Sequence, residues 1–152
     1  MESYEKILKS NILPDTFSGL MVCCLEDNDL VVFCNCGKSS SYLKIVITDV
    51  IAYQVHEEFC HPDMDKSKKS PRPPYSNDEL KIYYPALEVI NSSWLNSFSD
   101  NRIRDRKKKS KHYHFLSYSN VLDVISDGKC SAVEIPQSAY FDAERFIKNC
   151  IA

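Results

Sequence analysis

Residues 109–135, KSKHYHFLSYSNVLDVISDGKCSAVEI, hold three β-prone runs with only a few residues between them. A parallel strand pair needs a crossover of a dozen or more residues, whereas an antiparallel pair needs only a turn. Connections this short therefore predict antiparallel neighbours. The expected strands lie near 112–118, 121–126 and 130–135, with Asp127-Gly128 as a hairpin turn between the last two.

The same signature recurs upstream. In SGLMVCCLEDNDLVVFCNCG, apolar runs near 19–25 and 30–36 flank the turn-forming EDND, which predicts a hairpin. YLKIVITDVIAYQVHEEF is rich in Val, Ile and Tyr but long for one strand, so a turn or bulge is expected at Thr48–Asp49. Residues 80–84 read as strand. From Leu87 two readings stand. Leu87, Ile90, Trp94 and Phe98 fit one helical face. Equally, 87–90 stays extended and Ser92 or Ser93 caps a helix through Trp94. At the N-terminus, Tyr4, Ile7, Leu8, Asn11 and Ile12 follow helical spacing, and Pro14 ends a predicted helix over 3–13. A last helix over about 139–151 is expected to bury Ala139, Ala143, Phe146, Ile147 and Cys150. The expected fold is one α+β domain over 1–152: an antiparallel sheet of about six to seven strands with N-terminal, inserted and C-terminal helices.

The 152 residues are enough for a real core, and 43% hydrophobic with 11% aromatic residues is the composition of a folded chain. Three glycines argue against a glycine-rich phosphate cradle. No apolar run is long enough to predict a membrane span. The opening MESYEKILKS carries acids and no apolar core, so no secretory signal is expected. Seven cysteines, an odd number set partly in apolar runs, then read as reduced thiols in a cytoplasmic protein.

The net charge of −2 hides a division. Lys66, Lys68, Lys69 and Arg72 lie in one segment, and Arg102, Arg104, Arg106, Lys107, Lys108, Lys109 and Lys111 in another. Asp105 is the only acid within either, so the rest of the chain carries 8 of the 19 basic residues against 20 of the 21 acids. The expected picture is an acidic body with flexible basic loops over about 62–78 and 100–111.

Few residues suggest chemistry. His112 and His114, two apart on a strand, share a face and could reach one ion, but no nearby Cys, Asp or Glu has ligand spacing. They read more simply as half-exposed residues at a strand start. A zinc set would draw on Cys34, Cys36, His56, Cys60 and His61, all of them donors suited to that ion. The C-x-C spacing is not the usual knuckle, and no second pair exists. His56–Glu58 resembles the H-x-E of zinc deaminases, yet the downstream P-C-x-x-C is missing. Nucleophile elbow, P-loop, dinucleotide fingerprint and H-E-x-x-H are absent, so the chain leans away from an enzyme. Asp123, inside the apolar NVLDVIS, is read as solvent-facing, paired with a base, or lining a binding surface.

VITDVIAYQVHEE, NSSWLNSF and KHYHFLSYSNVLDVIS, in this order, resemble a family of small, uncharacterised bacterial α+β domains. The matching residues are Tyr53, Val55 and Glu57 or Glu58; then Ser92, Ser93, Trp94 and Leu95; then His112, Tyr113, Leu122, Asp123, Val124 and Ile125. The family pattern has an acid where this chain has Ser119, and Glu where it has Asp123. The resemblance implies an antiparallel α+β fold and no catalytic residues. It implies a likeness to immunity or accessory proteins that act by binding another protein.

The expected function is thus a small cytoplasmic, non-enzymatic protein-binding module without a cofactor. Its candidate partner surface is Arg102, Arg104, Arg106, Lys107, Lys108, Lys109, Lys111, His112 and His114, and opposite charge would speed encounter. Two alternatives stand. One is a zinc-binding or thiol-dependent enzyme using Cys34, Cys36, His56 and Cys60. The other is nucleic-acid binding through 102–111, disfavoured because the acidic body would repel a polyanion.

Overall fold

The computed structural model describes residues 3–8, 13–14, 16–37, 41–57, 84–98 and 109–151. Among these are nine strands and two helices. The strands are β1 (Ser3–Lys6), β2 (Gly19–Cys24), β3 (Leu30–Asn35), β4 (Tyr42–Ile47), β5 (Val50–Glu57), β6 (Ala86–Ile90), β7 (Lys111–Leu116), β8 (Asn120–Ser126) and β9 (Cys130–Ile135). The helices are α1 (Ser93–Ser97), between β6 and β7, and α2 (Gln137–Ile151), after β9. No helix among the described residues is long and apolar enough to cross a membrane.

The strands form two sheets rather than the single one expected. One has the order β1-β6-β7-β8-β5 and the other β2-β3-β4-β9, with every pair antiparallel. The apolar runs explain the doubling. Leu30, Val32 and Cys34 of β3 and Leu43, Ile45 and Ile47 of β4 each occupy alternate positions and are buried. They pack with Ala86, Tyr113, Phe115, Leu122 and Val124 of the five-stranded sheet in one core cluster. Two inner faces of this kind cover each other across a sandwich. Phe17, fully buried, ties the layers: its N–H donates to Leu116 O at 3.3 Å, and the next amide, Ser18 N–H, donates to Asn35 O at 2.8 Å.

Two short connections carry the chain from sheet to sheet. The bend predicted at Thr48–Asp49 is there, between β4 in one sheet and β5 in the other. Asp49 adopts a φ of 50°, a left-handed conformation that Asp tolerates better than most residues. Asp127-Gly128 turns the chain as expected, but β8 and β9 do not form a hairpin; β9 pairs with β4 instead. The two corners bind each other. Thr48 N–H donates to Lys129 O at 3.0 Å, Lys129 N–H to Thr48 Oγ1 at 2.9 Å, and Ser126 Oγ–H to Thr48 O at 2.6 Å.

Two further expectations are corrected. Residues 3–6 form β1 against the edge of β6, with Tyr4 opposite Val89, not the start of a helix. The free hydrogen-bonding edge of β6 outweighs the local helical spacing. The final helix is present, but only Tyr140 on it is buried, while Phe146 and Cys150 are exposed. From Leu87 the extended reading holds: 87–90 lies in β6 and Ser92 caps α1.

Candidate functional site

The polar residues that stand out in the sequence converge on one carboxylate. β7 and β8 are joined by a tight turn in which Ser117 Oγ–H donates to Asn120 O at 2.8 Å. Counting back from that turn sets His114 opposite Asp123 and His112 opposite Ile125. On the other side of β8, Gln54 of β5 lies opposite Asp123 and His56 opposite Val121. Residues opposite one another share a face, so His56, His112, His114 and Asp123 all project from the outer face of the five-stranded sheet. The inner face carries Leu122 and Val124.

Asp123 is 1% exposed, and its two oxygens take three imidazoles. Oδ1 lies 2.8 Å from His112 Nε2 and 2.8 Å from His114 Nδ1, and Oδ2 lies 3.3 Å from His56 Nε2. An ionised carboxylate only accepts, so each facing ring nitrogen carries the proton. For His112 this leaves Nδ1 as the acceptor, and Ser92 Oγ–H donates to it at 2.7 Å. For His56 the other nitrogen faces a second acceptor, Glu57 O at 3.1 Å.

Ser92 reaches this cluster because β6 ends sharply. Asn91 takes a left-handed φ of 56°, and α1 starts at once. Ser92 Oγ accepts Leu95 N–H at 3.0 Å, so the same hydroxyl caps the helix and holds His112. The Trp94 ring of α1 then stands edge-on to His112 at 5.2 Å, and Tyr4 of β1 covers His114 at 6.5 Å. A shallow cleft of about 230 Å³ runs alongside, lined in part by Asn91, Ser92, Asn96, Lys111 and His112.

The order Ser92–His112–Asp123 resembles a nucleophile relay, but Ser92 is only 3% exposed and its hydroxyl also caps α1. A nucleophile needs an approach path, which the burial of Ser92 restricts. What this arrangement does is lock β5, β7, β8 and the start of α1 through one buried polar network. Among the described residues, no group of three or more His, Cys, Asp or Glu side chains is placed to hold a metal ion. Here the imidazole N–H groups are directed at Asp123.

The remaining candidates are dispersed. Cys34 and Cys36 are buried in the core between the sheets, while His56 is on the far face of the five-stranded sheet, so the structure does not bring them together. Cys60 and His61 lie outside the described residues. Burial pushes the Cys34 thiol well above its ordinary value, with Cys36 and Cys130 adding to the effect. Burial raises Cys36 to about 11, helped by Glu134, and Cys130 to about 12. These are protonated, inert thiols rather than nucleophiles. Arg102, Arg104, Arg106, Lys107 and Lys108 lie outside the described residues. Lys109 precedes β7, and Lys111, at its first position, pairs with Glu88 at 3.0 Å. The two histidines expected half-exposed are buried, at 6% for His112 and 4% for His114.

Asp123 is the residue whose part sequence reasoning missed. The signal was present: with strands at 112–118 and 121–126 joined by a tight turn, antiparallel register alone sets 114 against 123. Comparison with known proteins finds no matching family model, no similar curated protein and no similar solved structure.

Proposed function

We propose that the chain is a small non-enzymatic protein-binding module, of immunity or accessory type, that meets its partner through complementary charge. The observation that supports this reading is the placement of the reactive groups. Cys34, Cys36, His112, His114 and Asp123 are all buried, with the polar ones engaged in the Asp123 network. The zinc reading loses support because Cys34 and Cys36 are divided from His56 by the five-stranded sheet. The chain also carries its charge in blocks, basic over 102–111 and acidic elsewhere, and such blocks steer encounter with an oppositely charged surface.

The test is stoichiometric co-purification of a partner with the tagged full chain, compared at low and high salt. A single partner is expected at about 150 mM salt, where screening extends only ~8 Å. It should be lost at about 1 M, where the screening length shrinks to ~3 Å. Replacing Lys107, Lys108 and Lys109 by Ala should weaken capture in the same way. Recovery of the chain alone at low salt contradicts the reading.

A further inference from the structure

One hydroxyl carries two hydrogen bonds at the start of α1. Ser92 Oγ accepts Leu95 N–H at 3.0 Å and donates its own proton to His112 Nδ1 at 2.7 Å. The helix it caps is five residues long, and none of them is buried. A helix this short depends on its cap, because its first amides have no partner within it. Trp94, its second residue, stands edge-on to His112 at 5.2 Å. The helix start and the sheet therefore meet at one imidazole. Beside that bond runs the cleft of about 230 Å³, which Ser92 and His112 both help to line and which gives water a way in.

We propose that this bond is an acid-sensitive latch: a proton taken up from water at His112 Nδ1 releases the start of α1 from the five-stranded sheet. The neutral ring accepts at Nδ1, whereas the charged ring donates from both nitrogens. Ser92 Oγ then faces two donors, Leu95 N–H and His112 Nδ1–H, and the hydroxyl proton loses the acceptor it has at His112. Ser92 is 3% exposed, so leaving that proton unpaired is costly while α1 stays docked. The opposite side of the ring is not disturbed. Nε2–H donates to Asp123 Oδ1 at 2.8 Å in either state, and an added charge strengthens that bond. The sheet thus stays paired while α1 lets go. The other charged and titratable groups around the ring are engaged elsewhere: His114 of β7 and His56 of β5 face the same carboxylate, and Lys111 at the rim of the cleft pairs with Glu88 at 3.0 Å. Once α1 is released, water accepts the new N–H, so the released state holds the extra proton better. By linkage, falling pH favours release. The latch does not depend on the charge-steered partner proposed above.

Trp94 is the one tryptophan of the chain and reports on α1. Its emission and its quenching by acrylamide are followed on the full chain from about pH 8 to about pH 5, the range in which imidazoles change charge. Emission should move to longer wavelength and quenching should rise as pH falls. Both should reverse on return to the starting pH, with the far-UV spectrum unchanged throughout. Ser92→Ala keeps all three imidazoles and Asp123 but has no latch, so it should be strongly quenched at both ends of the range and show no step. Ser92→Asp should invert the sign: a carboxylate caps the helix and accepts the charged Nδ1–H, so its quenching falls as pH falls. A parent protein whose Trp94 signals do not change overturns the inference. So does a step that persists in Ser92→Ala, a Ser92→Asp response in the parent's direction, or a loss of far-UV signal along with the Trp94 change. Should Ser92→Ala fail to fold, the parent titration and Ser92→Asp decide it.

Discussion

The buried thiols and the Asp123 imidazoles show how residue type and burial together decide reactivity. Cys34, Cys36 and Cys130 could each be a nucleophile or a metal ligand in an open, electropositive setting. Here burial keeps them neutral, with Cys36 raised to about 11 and Cys130 to about 12 from an ordinary 9.0. Tyr113, packed nearby, is raised by burial from 10.0 to about 12. In the unfolded chain these groups lose their protons from about pH 9, whereas in the folded chain they hold them to about 11–12. The unfolded state therefore binds fewer protons across that window, and stability falls as pH rises through it. The urea midpoint, measured in reducing buffer, should hold steady from pH 7 to 8.5 and drop clearly by pH 10. A midpoint unchanged at pH 10 contradicts the assigned burial. Local spacing could mark these cysteines as core residues. It could not say that three imidazoles share one carboxylate, because His56 and Asp123 are 67 positions apart in the chain.

At the scale of the element, the two corners decide the architecture. Gly128 lies so close to Thr48 that a Cβ there would collide with Thr48 Oγ1 and the Thr48 carbonyl oxygen. Only glycine lets the β8–β9 corner dock on the β4–β5 corner, where Lys129 backbone is joined to the Thr48 amide and to the Thr48 hydroxyl by hydrogen bonds. Gly128→Ala should destabilise the fold by about 2 kcal/mol or more, since the clash is with backbone that cannot swing away. Chemical denaturation reads it directly, and a loss under about 0.5 kcal/mol would show that the corners are not docked. Asp127-Gly128 was legible as a turn and 130–135 as a strand. Which sheet that strand joins was not, because a tight turn between strands is compatible with a hairpin and with a corner alike. The same limit explains β1. The spacing of Tyr4, Ile7 and Leu8 suits a helix, and only the distant edge of β6 makes it a strand.

Across the whole molecule, the apolar core and the polar network divide the work of holding the layers. The core joins the two sheets from within. The Asp123 network joins the outer side of the five-stranded sheet to α1, through His112 and Ser92. Antiparallel α+β architecture was readable from the strand runs and their turns. The split into two sheets depended on which buried faces meet, which no local pattern states. The account rests on Asp123 being a structural hub rather than a reactive group awaiting a ligand. Asp123→Asn tests this most directly, because the amide keeps the shape but turns one acceptor into a donor aimed at an imidazole N–H. Equilibrium urea unfolding at neutral pH should show a loss of about 3 kcal/mol, the scale of losing hydrogen bonds to a buried charged group. An unfolding free energy within about 0.5 kcal/mol of the parent protein would contradict it.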